Sequence, residues 1–151
     1  MKAVVQRCLD AKVEVEGKTI GQIDKGFVVF LGIKTTDTEQ DLDLLVKKVC
    51  GLRIFEDDNC KMNVSPLNAN AELLVISNFT LYANTSHGFR PDFLQSMSPQ
   101  GAKIFVDKFI ENCKNQNVFK KVNSGQFGAD MKVTVTNDGP VTIIIDTENL
   151  K

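Results

Sequence analysis

The chain has 151 residues, of which 42% are hydrophobic and 25% are charged, as is typical of soluble globular proteins. We expect a single domain spanning residues 1–151, a length that allows a sizeable buried core. The formal net charge of −1 argues against broad, non-specific binding to DNA, because such binding requires many cationic contacts with phosphates. It remains compatible with a local pocket for one RNA end.

Membrane and metal partners are not expected either. No apolar run reaches the roughly 18 residues of a membrane span, and the N-terminal residues lack a signal-peptide layout. We therefore expect a cytoplasmic protein. The four cysteines and one histidine include no C-x-x-C pair, so the ligand spacing of common zinc sites is missing. We expect reduced thiols, with Cys50 and Cys113 on buried helix faces.

The N-terminal third predicts four strands followed by a helix. The first is a short apolar strand, Ala3-Val4-Val5, within the stretch Lys2–Cys8, and the others are Ala11–Glu16, Thr19–Ile23 and Gly26–Ile33. The last of them is apolar throughout, which indicates a central strand covered on both faces. For the helix, Asp37 is the predicted N-cap, and Gln40 three residues later completes a capping-box pattern.

The middle of the chain predicts two more strands around a polar stretch. Arg53–Phe55 indicates a short strand, and Glu56–Asn70 indicates a loop with a hairpin-like excursion. Glu72–Ile76 predicts a second buried strand that runs directly into Ser77–Tyr82. Polar groups at the end of an apolar strand often form sites, because the strand positions them rigidly. A loop follows at Asn84–Pro91.

The last third predicts the second helix and the last strands. Ser98 supplies a capping hydroxyl, and Pro99 suits the first helical position. The buried stripe of this helix is predicted to be Ala102, Phe105, Val106, Phe109, Ile110 and Cys113. Residues 115–128 predict a polar connection before the strands Met131–Thr136 and Val141–Asp146. Many strands with two main helices indicate an α+β fold around a mixed sheet.

The Gly139-Pro140 pair between these last strands is open to two interpretations. Proline has no N–H group for a strand ladder and belongs at an edge, a strand start or a bend. Glycine allows backbone angles that other residues avoid. One interpretation is an ordinary turn between two hairpin strands. The other is a stiff piece of backbone that contacts a ligand.

A conventional hydroxyl-based hydrolase is one candidate for the chemistry. Ser77 and Thr80 supply hydroxyls, His87 follows Thr80 by seven residues, and Asp92 is near it in sequence. The nucleophile-elbow pattern G-x-S-x-G is absent. Other carboxylates and the lysines have no diagnostic spacing.

Six segments carry a more specific signal through their order along the chain. They are Met1–Arg7, Gly26–Ile33, Ser77-Asn78-Phe79-Thr80-Leu81, Gly88–Phe93, Phe127–Met131 and Asn137-Asp138-Gly139-Pro140-Val141-Thr142. This order closely resembles the D-aminoacyl-tRNA deacylase family, also called the D-tyrosyl-tRNA deacylase family. The resemblance covers nearly the full length, and the two motifs written out residue by residue are highly specific together.

The resemblance implies a homodimeric hydrolase that cleaves the ester between a D-amino acid, or glycine, and the 3′ end of tRNA. The implied fold is a strongly curved mixed sheet with two main helices, and the sheets of the two subunits pack together. The Gly139-Pro140 bond is expected to be cis and to reach into the partner's site as a chiral filter. A rigid backbone that clashes with an L side chain rejects it, whereas D-amino acids and glycine pass.

The resemblance also implies the site residues. Ser77, Asn78, Phe79 and Thr80 would surround the scissile ester and the terminal adenosine. The 2′-hydroxyl of that adenosine would assist the attack, while backbone N–H groups around Phe79 and Thr80 stabilise the oxyanion. No cofactor and no metal are implied. The implied substrate-binding residues are Gly139, Pro140, Arg7, Met131 and Phe89, with Arg7 fixing the Gly-Pro loop through bonds to carbonyls.

Two positions depart from the family pattern. Asn78 replaces the usual glutamine and is one methylene shorter, and His87 replaces the usual lysine, exchanging a permanent charge for a titrating group. Both departures bear on rate and tRNA affinity. Both leave the family assignment intact. Asn78 keeps open an alternative function, in which a dimer of the same fold binds an RNA end or small ligand without catalysis.

Overall fold

The structure is a computed structural model that describes residues 1–150. The strands are β1 (Lys2–Val15), β2 (Lys18–Ile23), β3 (Gly26–Gly32), β4 (Phe55–Glu56), β5 (Met62–Val64), β6 (Glu72–Ser77), β7 (Val122–Ser124) and β8 (Lys132–Asp146). The helices are α1 (Glu39–Cys50) and α2 (Pro99–Asn115), with short 3-10 helices at Phe79–Tyr82 and Thr147–Leu150.

Six of these strands form one mixed sheet around the long strand β1. β1 pairs antiparallel with β2 and β3 along one side and with β8 along the other. β6 and β7 extend the sheet from β3 in parallel. β7 returns beside β2, where Asn123 Nδ2 donates to the carbonyl of Gln22 at 2.8 Å. The sheet is therefore strongly curved and nearly closed, and the predicted α+β class with two main helices is confirmed.

Apolar clusters lie on both faces of this curved sheet. The larger packs α1 and α2 against β3 and β6, and the smaller fills the inside of the curve. β3 contributes to both, since Phe27 lies in the larger cluster and Val28 in the smaller. Burying one such side chain contributes about 1.5–3 kcal/mol. Burial on both faces explains the unbroken apolar run of β3 and confirms it as a central strand.

Of the two interpretations of Gly139-Pro140, the turn between two hairpin strands is wrong. A single strand, β8, crosses this position, and both of its halves pair with β1. Between the pairs Gln6–Thr142 and Asp10–Thr136, β8 advances six positions (142 − 136) while β1 advances four (10 − 6). The two additional residues form a bulge that takes the Gly-Pro segment out of the ladder. β1 itself joins two strands that were predicted separately.

The predicted cap of the first helix is also wrong. The N-cap is Thr38, and the carboxylate of Asp41 accepts hydrogen bonds from its N–H at 3.0 Å and from its hydroxyl at 2.8 Å. Asp37 instead accepts from the N-terminal ammonium of Met1 at 2.5 Å and from the N–H of Lys34 at 2.6 Å. A full positive charge competes better for this carboxylate than the weaker partial charges of a helix start.

Three smaller predictions need adjustment. The hydroxyl of Ser98 makes no capping bond, although α2 begins at Pro99 as predicted. The polar connection 115–128 contains the unpredicted strand β7, whose three residues are extended because they pair with β6. The short strand lies at Phe55–Glu56 and pairs with β5. Within residues 1–150, neither helix has the length and apolarity required to cross a membrane.

Gly26 marks the closest approach of β3 to β6. A Cβ atom added there would lie 1.9 Å from the carbonyl oxygen of Glu72 and 2.7 Å from its backbone nitrogen. These backbone atoms belong to a paired strand and cannot rotate away. We expect Gly26→Ala to lower the free energy of unfolding by about 3 kcal/mol or more, as measured by urea denaturation.

Gly101→Ala in α2 is the matched control. Its added Cβ would lie 3.0 Å from the sulfur of the flexible Met97 side chain and 3.5 Å from the hydroxyl of Ser98, the latter an ordinary contact. Alanine is favoured over glycine by about 1 kcal/mol within a helix, so this variant should be as stable as the native chain or more stable. Equal stabilities for the two variants would contradict the close approach at Gly26.

Candidate active site

A cavity of about 700 Å³ opens at the carboxyl ends of β3 and β6. The parallel pairing of these two strands brings their ends to the same edge of the sheet. The first turns of α2 and the start of β8 close the cavity from the sides. Its volume and its mainly apolar wall match those of ligand-binding pockets.

The predicted strand-end motif reaches this cavity. β6 ends at Ser77, and the chain continues through Asn78 into the 3-10 helix that begins at Phe79. All three residues line the cavity. The N–H of Asn78 donates to the carbonyl of Leu31 at 2.8 Å, which fixes the turn to β3. The structure thus brings these three predicted residues together at one wall.

Thr80 lies outside the cavity wall and is exposed. Its hydroxyl donates to Oδ1 of Asn78 at 2.5 Å. An amide oxygen does not take up a proton at neutral pH, so this contact does not activate the hydroxyl as a nucleophile. The hydrogen bond from Thr80 instead fixes the orientation of the Asn78 side chain.

The predicted Ser/Thr–His–Asp arrangement is not assembled. His87 lies in an exposed loop and makes no hydrogen bond to any other described residue. Asp92 is engaged elsewhere, since its carboxylate accepts from Nδ2 of Asn84 at 3.0 Å and from the N–H of Leu94 at 3.2 Å. No base is therefore placed behind a hydroxyl in this structure.

Other ionisable groups near the sheet are kept neutral by burial. Burial raises the pKa of the Cys8 thiol to about 11, so a thiolate nucleophile is not available there at neutral pH. Burial also raises the pKa of the Tyr82 phenol beneath the strand-end motif. Among residues 1–150, no group of three or more His, Cys, Asp and Glu side chains is placed to bind a metal ion.

Two aromatic rings form the mouth of the cavity. Phe79 and Phe93 pack edge to face, with ring centroids 4.9 Å apart, and Phe79 is still 57% exposed. The hydroxyl of Ser96 donates to the carbonyl of Phe79 at 3.0 Å and ties this mouth to the segment before α2. Phe89, which was predicted to bind substrate, does not line the cavity.

Several wall residues were not predicted as site residues. Ala102 and Val106 were assigned to the buried stripe of α2, and Met97 and Phe127 received no individual role. An apolar helix residue has the same sequence signal whether it packs against the core or faces a cavity. Met131, which was predicted to bind substrate, does line the wall.

The Gly139-Pro140 peptide bond is cis, and both residues are exposed. Neither lines the cavity of its own chain. Gly139 has a φ of +140°, a backbone conformation that favours glycine. On the far side of the bulge, the N–H of Val141 donates to Oδ1 of Asn137 at 3.2 Å.

Arg7 fixes the bulge from inside the sheet. Its guanidinium donates to the carbonyl of Asp138 at 3.1 Å and to the carbonyl of Ile54 at 2.7 Å. It also lies 3.3 Å from the carboxylate of Asp138. The predicted bond from Arg7 to a carbonyl beside the Gly-Pro pair is therefore confirmed.

An apolar stripe crosses the sheet on a face that the helices leave open. Ile144 pairs with Val4, Val4 with Phe30, and Phe30 with Ile76. Residues paired in this way point to the same face of a sheet. Ile144 is 68% exposed, whereas Phe30 and Ile76 line the cavity. The stripe, defined by these four residues, leads from the open edge at β8 into the cavity.

The sequence was compared with protein-family models and with known proteins. The family model described as D-Tyr-tRNA(Tyr) deacylase matches residues 4–146. A D-aminoacyl-tRNA deacylase of Thermosipho africanus (strain TCF52B) is 47% identical over 150 residues, which is 99% of each chain. One from Clostridium botulinum (strain Loch Maree / Type A3) is 48% identical over 148 residues, or 98% of each chain.

Two solved structures share the fold. One is named c-Myc DNA Unwinding Element Binding Protein; its TM-score is 0.91 at 39% identity, covering 97% of this chain and 98% of that one. The other is described as a "probable eukaryotic D-amino acid tRNA deacylase"; its TM-score is 0.83 at 14% identity, covering 95% and 97%. With the family model and the relatives over nearly its whole length, the chain belongs to the D-Tyr-tRNA(Tyr) deacylase family.

Proposed function

We propose that the protein hydrolyses the ester that joins a D-amino acid, or glycine, to the 3′ end of tRNA. The observation that carries this proposal is the cavity lined by Ser77, Asn78 and Phe79, in a chain 47% identical to a D-aminoacyl-tRNA deacylase. A cavity of about 700 Å³ has room for an aminoacyl group and a nucleoside together. We place the reaction in the cytoplasm, where tRNA is charged and used.

The substrate and the protein backbone supply the chemistry. A water molecule attacks the ester carbonyl with assistance from the 2′-hydroxyl of the terminal adenosine. The carbonyl carbon gains the hydroxyl, the ester C–O bond breaks, and the 3′ oxygen takes up a proton. The N–H groups of Phe79 and Thr80 start a 3-10 helix, have no carbonyl within that helix to donate to, and stabilise the oxyanion.

The chiral filter is the Gly139-Pro140 backbone supplied by a second subunit. Three observations support this assignment: the segment is exposed, it is absent from its own chain's cavity, and Arg7 fixes its position. A backbone anchored in this way cannot move aside for an L side chain, whereas a D side chain points away from it. Because the filter is main chain, it is indifferent to which amino acid is attached.

The second subunit packs on the apolar stripe. Soluble proteins rarely leave a contiguous apolar path on an open sheet face without a partner. The stripe runs into the cavity at Phe30, so a copy seated on it would lie beside the cavity. In a two-fold dimer the same surface serves both subunits, and each would offer its Gly139-Pro140 to the other.

A second candidate function is binding of an RNA end or a small ligand without turnover. Asn78 favours it, because its amide is one methylene shorter than the glutamine usual in the family and its oxygen already accepts from Thr80. Duplex DNA binding, suggested by the name of one solved relative, is less well supported here. With 18 basic and 19 acidic residues, the chain has no excess of cations for phosphate contacts.

The decisive measurement is the release of tyrosine from matched D-tyrosyl-tRNA and L-tyrosyl-tRNA by the purified protein without added metal. We expect fast release of the D form and no release of the L form above the spontaneous rate. Release of both forms would refute the filter. Release of neither, at enzyme concentrations above those of the tRNA, would favour the binding function, and Asn78→Gln would then test whether the shorter amide is the cause.

Alanine substitutions separate this mechanism from a hydroxyl nucleophile. Thr80→Ala and His87→Ala should each retain measurable single-turnover deacylation, because neither side chain lines the cavity and no base lies behind the hydroxyl. Loss of a true nucleophile lowers turnover on the order of 10⁶-fold. A loss of that size in either variant would contradict the proposed mechanism and favour the Ser/Thr–His–Asp hydrolase.

Ile144→Asp tests the subunit interface. A carboxylate in the centre of an apolar interface is strongly unfavourable, so we expect a monomer by light scattering and loss of deacylation. Ile104→Asp is the matched control, since Ile104 is 56% exposed on α2, away from the stripe. It should remain dimeric and active. A dimeric and active Ile144→Asp would show that the stripe is not the interface.

A further inference from the structure

The loop of residues 84–92 is fixed at its base. Asn84 and Asp92 exchange two backbone hydrogen bonds, at 2.9 and 3.0 Å, and their side chains form a third at 3.0 Å. Oδ1 of Asn84 also accepts from the N–H of Ser86 at 3.1 Å. Three hydrogen bonds thus hold the two ends of a short loop together, and a fourth stiffens its first turn.

The tip of the same loop makes no contacts of its own. Gly88 has a φ of +126°, which turns the chain, and the following Phe89 is fully exposed. The guanidinium of Arg90 is exposed and forms no hydrogen bond or ion pair with any other described residue. Single exposed apolar side chains are common. The exposed ring of Phe89 and the unpaired guanidinium of Arg90 make no contribution to folding that the structure shows, although the loop that carries them is held together at its ends.

The loop stands at the mouth of the cavity. It starts just after the 3-10 helix that carries Phe79 and ends just before Phe93, and these two rings form the mouth. Leu94, directly after the loop, is 85% exposed and adds to the apolar rim. A chain of nucleotides that leaves the cavity between Phe79 and Phe93 would pass this loop.

We propose that Phe89 and Arg90 bind the single-stranded nucleotides that precede the terminal adenosine of the tRNA. The inference rests on the proposed function, because it requires the ester and its adenosine to fill the cavity. Single-stranded RNA is recognised by stacking of bases on aromatic rings and guanidinium planes, and by cations on phosphates. Phe89 offers the ring, and Arg90 offers a guanidinium that no carboxylate of the described chain occupies.

The test compares two substrates of different length. One is D-tyrosyl-tRNA, and the other is D-tyrosyl-adenosine, which fills the cavity but ends before the loop. Phe89→Ala should lower kcat/KM for the tRNA by about tenfold or more, the size of one stacked base, and leave the adenosine ester unaffected. Phe89→Trp should restore the rate on the tRNA. Leu67→Ala, which removes an exposed apolar side chain elsewhere on the surface, should change neither rate.

Arg90→Gln gives an independent readout. It should weaken the dependence of kcat/KM on salt concentration for the tRNA, because one cationic contact is lost, and leave the adenosine ester unaffected. Arg90→Lys keeps the charge and should keep most of the salt dependence.

Three outcomes would overturn the inference. Equal losses on both substrates would place Phe89 within the cavity site, no loss on either would remove the loop from RNA binding, and a monomeric Phe89→Ala would make it a subunit contact. If the native protein cleaves neither substrate, the proposed function itself fails. Fluorescence anisotropy with uncharged tRNA then tests the loop alone, and equal affinities of native protein and Phe89→Ala would overturn it.

Discussion

The buried guanidinium of Arg7 is the interaction on which the proposed site most depends. Only 5% of this residue is exposed, and its charge is met by two carbonyls and by the carboxylates of Asp138 and Glu56, at 3.3 and 3.7 Å. A buried charge that loses its partners is unfavourable by about 3–5 kcal/mol, so this network resists rearrangement. Because Arg7 lies within β1, the bulge beside it takes its position from the centre of the sheet rather than from a surface loop.

The same sheet also determines where the cavity lies. The parallel pairing of β3 and β6 places their carboxyl ends together, and the 3-10 helix at Phe79 starts where β6 stops. Antiparallel pairing of β1 with β8 places the Gly-Pro bulge elsewhere, outside the cavity of its own chain. The curved sheet closes around the smaller cluster, which includes Ile76 at one end of the stripe, and leaves Ile144 exposed at the other end. One topology thus separates the proposed filter from the cavity and leaves exposed the edge on which we propose that a second copy packs.

Sequence reasoning succeeded where local pattern decides structure. β3 and β6 were predicted from unbroken apolar runs, and most of the buried face of α2 from its helical spacing. It failed where distant residues decide. The bulge at Gly139-Pro140 depends on its register with β1, which no local pattern contains. The Arg7–Asp138 bond joins residues 131 positions apart, and it was expected only because of the family resemblance. Asp37 contacts the N-terminal ammonium, a partner that helix-capping patterns do not include.

In the candidate site, too, some residues were predicted from the sequence and others were not. Ser77, Asn78, Phe79 and Met131 came from the family resemblance and line the cavity, whereas Thr80 and Phe89 do not. The part of the cavity wall that α2 supplies could not be predicted, because residues such as Ala102 and Val106 are apolar whether they pack in the core or face a cavity. His87 and Asp92, two members of the Ser/Thr–His–Asp alternative, are close in sequence but share no hydrogen bond. The carboxylate of Asp92 instead accepts from Asn84 where the two ends of the loop meet.

Because the proposed chemistry is performed by main-chain atoms, the site can tolerate the two departures from the family pattern, Asn78 and His87. The proposed oxyanion donors are the N–H groups of Phe79 and Thr80, and the proposed filter is the backbone of Gly139 and Pro140. A shorter amide at Asn78 leaves those atoms in place, because the turn is fixed by its backbone bond to Leu31. Histidine at position 87 lies on the loop that we propose to bind RNA, outside the cavity, where a change of charge would alter RNA affinity and not the reacting groups. Side-chain variation should therefore tune affinity and rate while selectivity for chirality depends on the rigidity of the Gly-Pro bulge, and hence on Arg7.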